Sequence, residues 1–208
     1  MAKVILLNGS PHSKGCTARA LEEMVKVFME EGIETEVIHV GNRDIRGCIS
    51  CNRCQEIEKC VFDDLVNEVA VKFEEADGLV VGSPVYYASP NGTILSFMDR
   101  LFYSASYSKH MKVGAAVVSC RRGGNSASFD VLNKYFTISG MPVAPSTYWN
   151  QVHGFSSGDV EKDLEGLQTM RNLARNMSFM IKAFADAKKK YGYPMVETEN
   201  FTCFQDGK

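Results

Sequence analysis

The 208-residue sequence has no excess of charge of either sign and no long apolar run near its N-terminus. Its 23 lysines and arginines balance 25 aspartates and glutamates, so a formal net charge of −2 gives no general attraction to nucleic acid or anionic membranes. The first apolar run spans only Val4 to Leu7, which is too short for a signal-peptide core or a membrane span. We therefore expect a cytoplasmic protein, in which thiols are normally kept reduced.

The sequence also lacks internal repeats, low-complexity segments and a recognisable linker. A chain that is 45% hydrophobic and 23% charged is ordinary for a globular protein, and its length is sufficient for one full hydrophobic core. We predict a single domain over residues 1–193, with a cysteine-rich loop at residues 47–62, and a C-terminal tail over residues 194–208.

Short apolar runs alternate with amphipathic stretches along the chain. Three runs are almost continuously apolar, which is typical of parallel strands covered on both faces. The predicted strands are residues 3–8, 34–40, 77–83, 112–119 and 141–148. Apolar residues at three-and-four spacing predict helices around Leu21–Phe28 and Val66–Phe73, and a long helix from Val160 to near Gly192. This alternation predicts an α/β fold, with a doubly wound five-stranded parallel sheet between two helix layers.

Two common nucleotide-binding motifs are missing after the first predicted strand, namely the GxGxxG dinucleotide loop and the lysine motif of nucleoside triphosphatases. The segment NGSPHSKGCT instead offers small and hydroxyl-bearing residues before an amphipathic helix. Free backbone N–H groups at the helix start, together with the hydroxyls of Ser10 and Thr17, are suited to bind a phosphate. A plain Ser/Thr helix cap without a ligand is the alternative interpretation.

Two more loops with polar or aromatic residues follow the third and fourth predicted strands. The segment SPVYYASP holds Tyr86 and Tyr87 between two prolines, and SCRRGGNSAS is rich in glycine and polar groups. A planar ring could stack on the tyrosines or accept hydrogen bonds from backbone amides at residues 85–87, although two aromatic residues covering a core edge would look the same. Because the carboxyl ends of parallel strands share one edge of a sheet, the three loops predict a mononucleotide pocket.

These segments resemble those of the flavodoxin-like NAD(P)H-dependent FMN reductase family, over about residues 3–148. The resemblance is carried by NGSPHSKGCT, by SPVYYASPNGTILSFMDRL and by the glycine pair at 123–124. It implies a flavodoxin-like fold with FMN bound through its phosphate at the first loop and through its ring at the other two. The implied cofactor-binding residues are Ser10, His12, Cys16, Thr17, Ala18, Pro84, Val85, Tyr86, Tyr87, Asn91, Ser119, Gly123 and Gly124.

The first loop departs from the family's commoner form at two positions. His12 stands where an arginine is frequent, and Cys16 stands where an asparagine or serine is frequent. His12 could still pair with a phosphate, with a charge that varies near neutral pH. Cys16 would contribute mainly through its backbone N–H.

Four of the seven cysteines follow the pattern C-x2-C-x2-C-x5-C at Cys48, Cys51, Cys54 and Cys60. In a reducing compartment, such a cluster indicates metal binding or catalysis rather than structural disulfides. Four thiolates on one flexible loop suit a cubane iron–sulfur cluster. Zinc, a thiol/disulfide pair such as Cys51 and Cys54, and a loop without a ligand are the alternatives. The pattern also resembles that of the iron–sulfur flavoproteins, which implies a 4Fe–4S cluster bound by these four residues.

The two resemblances together imply an FMN-dependent oxidoreductase. It would pass electrons from NAD(P)H through bound flavin to an acceptor such as a flavin, a quinone or a redox protein, without an essential catalytic side chain. An electron carrier between redox proteins such as ferredoxin, with no small-molecule substrate of its own, is the alternative, and a redox-sensing module is a third hypothesis. The family resemblance also implies a homodimer or homotetramer. Trp149 and His153 are candidates for covering the flavin, the acceptor site or a subunit boundary, or for ordinary loop packing.

Overall fold

Five parallel strands form the centre of the computed structural model, which describes residues 1–200 and 202. With one short additional strand, the fourth, the strands in chain order are β1 (Lys3–Asn8), β2 (Glu34–His39), β3 (Gly78–Tyr86), β4 (Ser89–Pro90), β5 (Val113–Cys120) and β6 (Gln151–His153). Their order is β2-β1-β3-β5-β6, and the short β4 pairs antiparallel with the end of β3. All pairs along the main path are parallel. This is the doubly wound, flavodoxin-like strand order, so the predicted fold class is confirmed.

Helices cover both faces of the sheet. They are α1 (Cys16–Glu30), α2 (Cys54–Ile57), α3 (Leu65–Glu75), α4 (Gly92–Ser104), α5 (Asn125–Ile138), α6 (Ser157–Val160) and α7 (Leu164–Tyr191). Side chains along β1 point alternately to the two faces of the sheet. Val4 and Leu6 pack in the core beneath α1 and α7, whereas Ile5 and Leu7 pack in the core beneath α3, α4 and α5. The sheet is therefore the middle layer of three.

The first four predicted strands and the three predicted helices are confirmed, with shifts at their ends. The long C-terminal helix ends at Tyr191 and has Gly192 as its C-cap. Lysines occupy its final turn, where positive charge interacts favourably with the helix dipole. Val160 lies in the separate α6 rather than in this helix. Residues 194–200 contain no helix or strand, and Cys203 lies outside the described residues. In the part of the chain that the structure describes, no helix is both long and apolar enough to cross a bilayer.

The predicted fifth strand at residues 141–148 is wrong. Within this fully described segment, Val143 alone forms a bridge, with Gly114, and the edge strand of the sheet is β6. Pro142 and Pro145 explain the difference, because proline has no N–H to donate to a neighbouring strand. The actual strand gave little signal, since it carries only one apolar residue, the buried Val152.

An ion-pair cluster around Glu23 joins α1 to α7. The Glu23 carboxylate, with only 10% of its side chain exposed, accepts from Arg171 at 2.6 Å, from Arg19 at 2.9 Å and from Lys26 at 3.3 Å. Burial alone would raise the pKa of Glu23, but the three hydrogen bonds outweigh it and lower the pKa from 4.5 to about 2. The ionised carboxylate therefore stabilises the fold above about pH 4.5, and this contribution is lost as the pH falls towards 2.

We predict that Glu23→Gln lowers the free energy of unfolding at pH 7 by about 1–3 kcal/mol, because Arg171 loses its charged partner and Arg19 loses one of two. The difference from the wild type should shrink between pH 4.5 and 2, as measured by urea denaturation. Glu22→Gln, at an exposed position on the same helix, is the control and should change stability by less than about 0.5 kcal/mol. Equal losses in the two variants would contradict the role given to Glu23.

Candidate functional site

The first loop (residues 9–15) joins β1 to α1 at the carboxyl edge of the sheet. Its last residue, Gly15, is the N-cap of α1 and provides no side-chain cap. The backbone N–H groups of Cys16, Thr17 and Ala18 in the first helical turn have no partner within the helix, as at any helix start. These N–H groups and the positive end of the helix dipole are suited to bind an anion such as a phosphate.

The hydroxyl groups near this helix start are engaged inside the protein. Ser10 is buried, and its Oγ accepts from the His12 backbone N–H at 3.2 Å, whereas the His12 side chain is exposed. Thr17 is also buried, and its hydroxyl bonds the Ser119 hydroxyl at the end of β5, at 2.8 Å. The hydroxyls of Thr17 and Ser119 thus join α1 to β5 beneath the loop, and the backbone N–H of Thr17 is the group of this residue that is suited to bind an anion.

Cys16 connects the first loop to the segment after β6. Its Sγ donates to the Gly154 carbonyl at 3.4 Å. Burial raises the pKa of the Cys16 thiol, and the nearby Asp159 carboxylate raises it further, against a lowering by a backbone hydrogen bond. The thiol therefore stays neutral at physiological pH, which avoids a negative charge beside an anion site.

The peptide unit of Gly9 is held from two directions. Its N–H donates to the Gly82 carbonyl at 2.8 Å, and its carbonyl accepts from the Asn91 side-chain amide at 2.6 Å. Asn91 is buried and also caps α4, because its Oδ1 accepts from the Thr93 N–H at 3.2 Å. Its own backbone N–H donates to the Ser83 hydroxyl at 3.0 Å. Asn91 therefore lies beneath the site, where it fixes the first loop to β3 and α4.

His39, the last residue of β2, and Gly41, just after it, support the same loop and were missed in the sequence. The Gly41 N–H donates to the Asn8 carbonyl at 3.0 Å, and a Cβ on Gly41 would lie 2.3 Å from the Gly9 carbonyl oxygen and from Ser10 backbone atoms. His39 Nε2 bonds the Ser10 carbonyl at 2.7 Å. A glycine directly after a predicted strand was the available signal, because such glycines often mark a close backbone approach.

Tyr86 and Tyr87 stand on a tight hairpin at the same edge. Val85 pairs with Pro90 and Tyr86 with Ser89, which leaves Tyr87 and residue 88 as a two-residue turn. Tyr87 adopts a left-handed conformation with φ of 54° and is fully exposed, and Tyr86 is 43% exposed. Left-handed backbone is unusual for a bulky residue and often marks a functional position.

The glycine pair after β5 lies next to this hairpin. Gly124 has φ of +84°, and a Cβ there would lie 2.8 Å from a methyl group of Val85. A Cβ on Gly123 would meet nothing within 4 Å, so the chain is open at that point. Pro84 and Val85 are half-buried between the sheet and the hairpin. The structure therefore brings the three predicted loops together at one edge of the sheet.

The four clustered cysteines line one small cavity together with Arg100 and other residues of the cysteine loop and α4. Cys48 and Cys51 are exposed, whereas Cys54 and Cys60 are half-buried. The six cysteines in the described part of the chain are free thiols. Over residues 1–200 and 202, no three His, Cys, Asp or Glu side chains converge closely enough to hold a metal ion. The thiols thus share a pocket but are spread apart in it.

Two of the four sulfurs accept hydrogen bonds from N–H groups of the protein. The Ser50 backbone N–H donates to Cys48 Sγ at 3.4 Å, and Arg100 Nε donates to Cys60 Sγ at 3.2 Å. Burial raises the pKa of Cys54, and the three neighbouring cysteines raise it further, against a lowering by a backbone hydrogen bond. Soft thiols on one loop, with N–H donors aimed at sulfur, are the right donor set for an iron–sulfur or zinc group.

Trp149 and His153 lie beside the edge strand β6. They line a pocket with Tyr148, Gln151 and the first turns of α7. The His153 N–H donates to the Asp163 carboxylate at 2.7 Å, and its ring Nδ1 lies 3.5 Å from the same group. Asp163 also caps α7, so this contact fixes the edge strand to that helix.

Comparisons with known proteins agree on one family. Residues 2–155 match the family model described as NADPH-dependent FMN reductase. An iron–sulfur flavoprotein of Methanocaldococcus jannaschii is 35% identical over 188 residues, which cover 86% of this chain and 97% of that protein. An iron–sulfur flavoprotein of Methanosarcina thermophila is 26% identical over 90% of this chain and all of its own. The solved NAD(P)H:quinone oxidoreductase of Methanothermobacter marburgensis shares the fold, with a TM-score of 0.63, 19% identity and coverage of 84% and 95%.

We predict that Gly41→Ala destabilises the protein by about 1–3 kcal/mol in urea denaturation, because the new methyl group would force the first loop away from β2. Gly92→Ala is the matched control, since a Cβ at Gly92 meets nothing within 4 Å. The control should change stability by less than about 1 kcal/mol. A Gly41→Ala variant as stable as the control would show that the loop can move without cost.

Proposed function

The chain belongs to the NADPH-dependent FMN reductase family, and on that premise we propose that it binds FMN at the carboxyl edge of its sheet. Electrons would pass from NAD(P)H through the flavin to a flavin, a quinone or a redox protein. The observation that carries this proposal is the meeting of three loops: a helix start suited to bind an anion, an exposed tyrosine hairpin, and a glycine pair that is open at Gly123 and packed against Val85 at Gly124. In that order, the three parts suit the FMN phosphate, the planar face of its ring and the edge of that ring.

Each group of residues has a separate part in the proposed binding. The N–H groups of residues 16–18 would hold the FMN phosphate, with neutral Cys16 adding no opposing charge. Val85, Tyr86 and Tyr87 would place the ring, and the missing side chains at residues 123 and 124 would let it approach the backbone. When bound, FMN supplies hydride acceptance and onward electron transfer, so the protein needs only to orient the ring and shield it from water.

We further propose that Cys48, Cys51, Cys54 and Cys60 hold a 4Fe–4S cluster. The proposal is supported by the common cavity of the four thiols, by the N–H donors on two sulfurs, and by the two relatives named iron–sulfur flavoproteins. Such a cluster would supply single-electron transfer between the flavin and a partner. The family likeness alone extends the proposal to a cytoplasmic homodimer or homotetramer.

A second candidate function is that of an electron carrier between redox proteins. The exposure of Cys48 and Cys51 favours it, because a group held by these residues would be accessible to another protein. In this case the reduced cluster would exchange electrons with a partner such as a ferredoxin, and no small-molecule acceptor would be needed.

We predict that protein purified without oxygen contains about one FMN and four irons per chain, with matching acid-labile sulfide. Cys48→Ser should lose most of its iron while retaining flavin, because the cysteine loop is separate from the three FMN loops. Thr137→Ala, at an exposed position near the end of α5 and outside both sites, is the control and should retain both groups. A lack of flavin after reconstitution with FMN would overturn the whole proposal, whereas flavin without iron would overturn only the cluster.

We also predict rapid oxidation of NADH or NADPH when FMN or a quinone is supplied as acceptor, measured by the loss of nicotinamide absorbance. The reason is that the tyrosine hairpin is exposed, so the edge of a ring bound beside it would be accessible to small molecules. Slow nicotinamide oxidation combined with fast reduction by a ferredoxin would favour the electron carrier instead.

A further inference from the structure

Arg100 is the bulkiest fully buried side chain in the described part of the protein, and its contacts lie on the cysteine loop and its margins. Its guanidinium forms a two-pronged ion pair with Asp64, at 2.6 and 2.9 Å. Its Nε donates to Cys60 Sγ at 3.2 Å. The two Nη atoms also donate to the Arg46 carbonyl at 3.2 Å and to the Phe62 carbonyl at 3.4 Å.

An ion pair alone does not account for this arrangement. Asp64 neutralises the buried charge, but the guanidinium makes contacts beyond this ion pair. It bonds the carbonyl of Arg46, the residue just before the cysteine loop. It also bonds the carbonyl of Phe62, the last residue of the loop, and lies 4.9 Å from the centre of the Phe62 ring. One planar group thus holds both ends of the loop and one of its four sulfurs. Arginine can make all these contacts together, because its planar guanidinium carries five N–H donors.

The cation is permanent. Burial alone would lower the pKa of Arg100, but its bonds to Asp64 and Cys60 hold the pKa above the ordinary value for arginine. Cys60 therefore has a charge-assisted donor on its sulfur that does not titrate under working conditions.

We propose that Arg100 is a positioning residue for the metal group of the cysteine loop, which raises the reduction potential of that group and slows its loss. This inference rests on the proposed cluster. Adding one electron to a thiolate-bound group increases its negative charge by one, and a cation bonded to a ligand sulfur stabilises that reduced form more than the oxidised form. The electron comes from the flavin or a partner, and no bond or proton at Arg100 changes in the step.

The first test compares Arg100→Lys with the wild type by anaerobic redox titration, followed by the EPR signal of the reduced cluster. Lysine keeps a charge for Asp64 but lacks the fork that reaches Cys60, so the potential should fall. Iron release to a chelator should be about tenfold faster, the usual effect of removing a partner of a metal ligand. Arg171→Lys, at a helix arginine paired with Glu23, is the matched control and should leave the potential and the release rate unchanged.

A second variant separates sulfur contact from simple ion pairing. Asp64→Asn removes the ion pair but leaves Arg100 bonded to Cys60, so its potential should equal or exceed that of the wild type. A purely structural ion pair would instead make Asp64→Asn lose potential. That result would overturn the proposal even if Arg100→Lys failed to fold.

A third measurement does not depend on the cluster. In the iron-free chain, trypsin should cleave after Arg53 and Lys59 faster in Arg100→Lys than in Arg171→Lys, because the loop ends are no longer held. Equal cleavage rates would overturn the positioning role. If the wild type holds no iron after reconstitution, the iron–sulfur part of the proposed function fails and the effect on potential fails with it. If it holds iron and Arg100→Lys shows an unchanged potential and release rate, the inference about Arg100 alone is overturned.

Discussion

The carboxyl edge of the sheet depends on one peptide unit, that of Gly9. Its two hydrogen bonds reach β3 and the cap of α4, and the backbone of Gly41 lies against its carbonyl. A Cβ on Gly9 would itself lie 2.8 Å from the Gly82 carbonyl and from Ile94. The ends of β1 and β2 and the middle of β3 are thereby brought to contact distance at a point where no side chain fits. Because the first loop begins there, its position relative to the tyrosine hairpin follows from close backbone packing and from the one buried side chain of Asn91.

Much of the fold could be predicted because its signal is local. Buried parallel strands appear in the sequence as continuous apolar runs, and the helices appear as apolar residues repeated at three-and-four spacing. The edge strand could not be predicted in this way, since β6 buries only Val152, while the apolar run before it contains two prolines. At the site, the three loops named by the resemblance do meet at one edge of the sheet, but the resemblance could not separate side chains with interior partners from side chains with open surroundings. Asn91 and the hydroxyl of Thr17 face the interior, and only their tertiary partners reveal this.

The cysteine pattern predicted a shared site, and the structure places the four thiols around one cavity. The partner of that site could not be predicted from the pattern, because Arg100 lies 40 residues beyond Cys60 on another element. A signal was present all the same. Arg100 lies between Met98 and Leu101 on the buried face of α4. A buried charge at such a position destabilises the fold unless it is paired, so the sequence indicated an acidic partner for Arg100.

The hold of Arg100 on residues 46 and 62 also bears on how the protein can evolve. The chain between them is a closed loop whose ends are fixed by a residue outside it. The entropy of closing such a loop grows slowly with length, by about 0.6 kcal/mol for each doubling. Insertions, deletions and substitutions between the two ends therefore cost the domain little stability. A lineage could lengthen this segment or replace its cysteines while the flavodoxin-like domain stays intact, so the cysteine loop and the edge of the sheet can diverge independently.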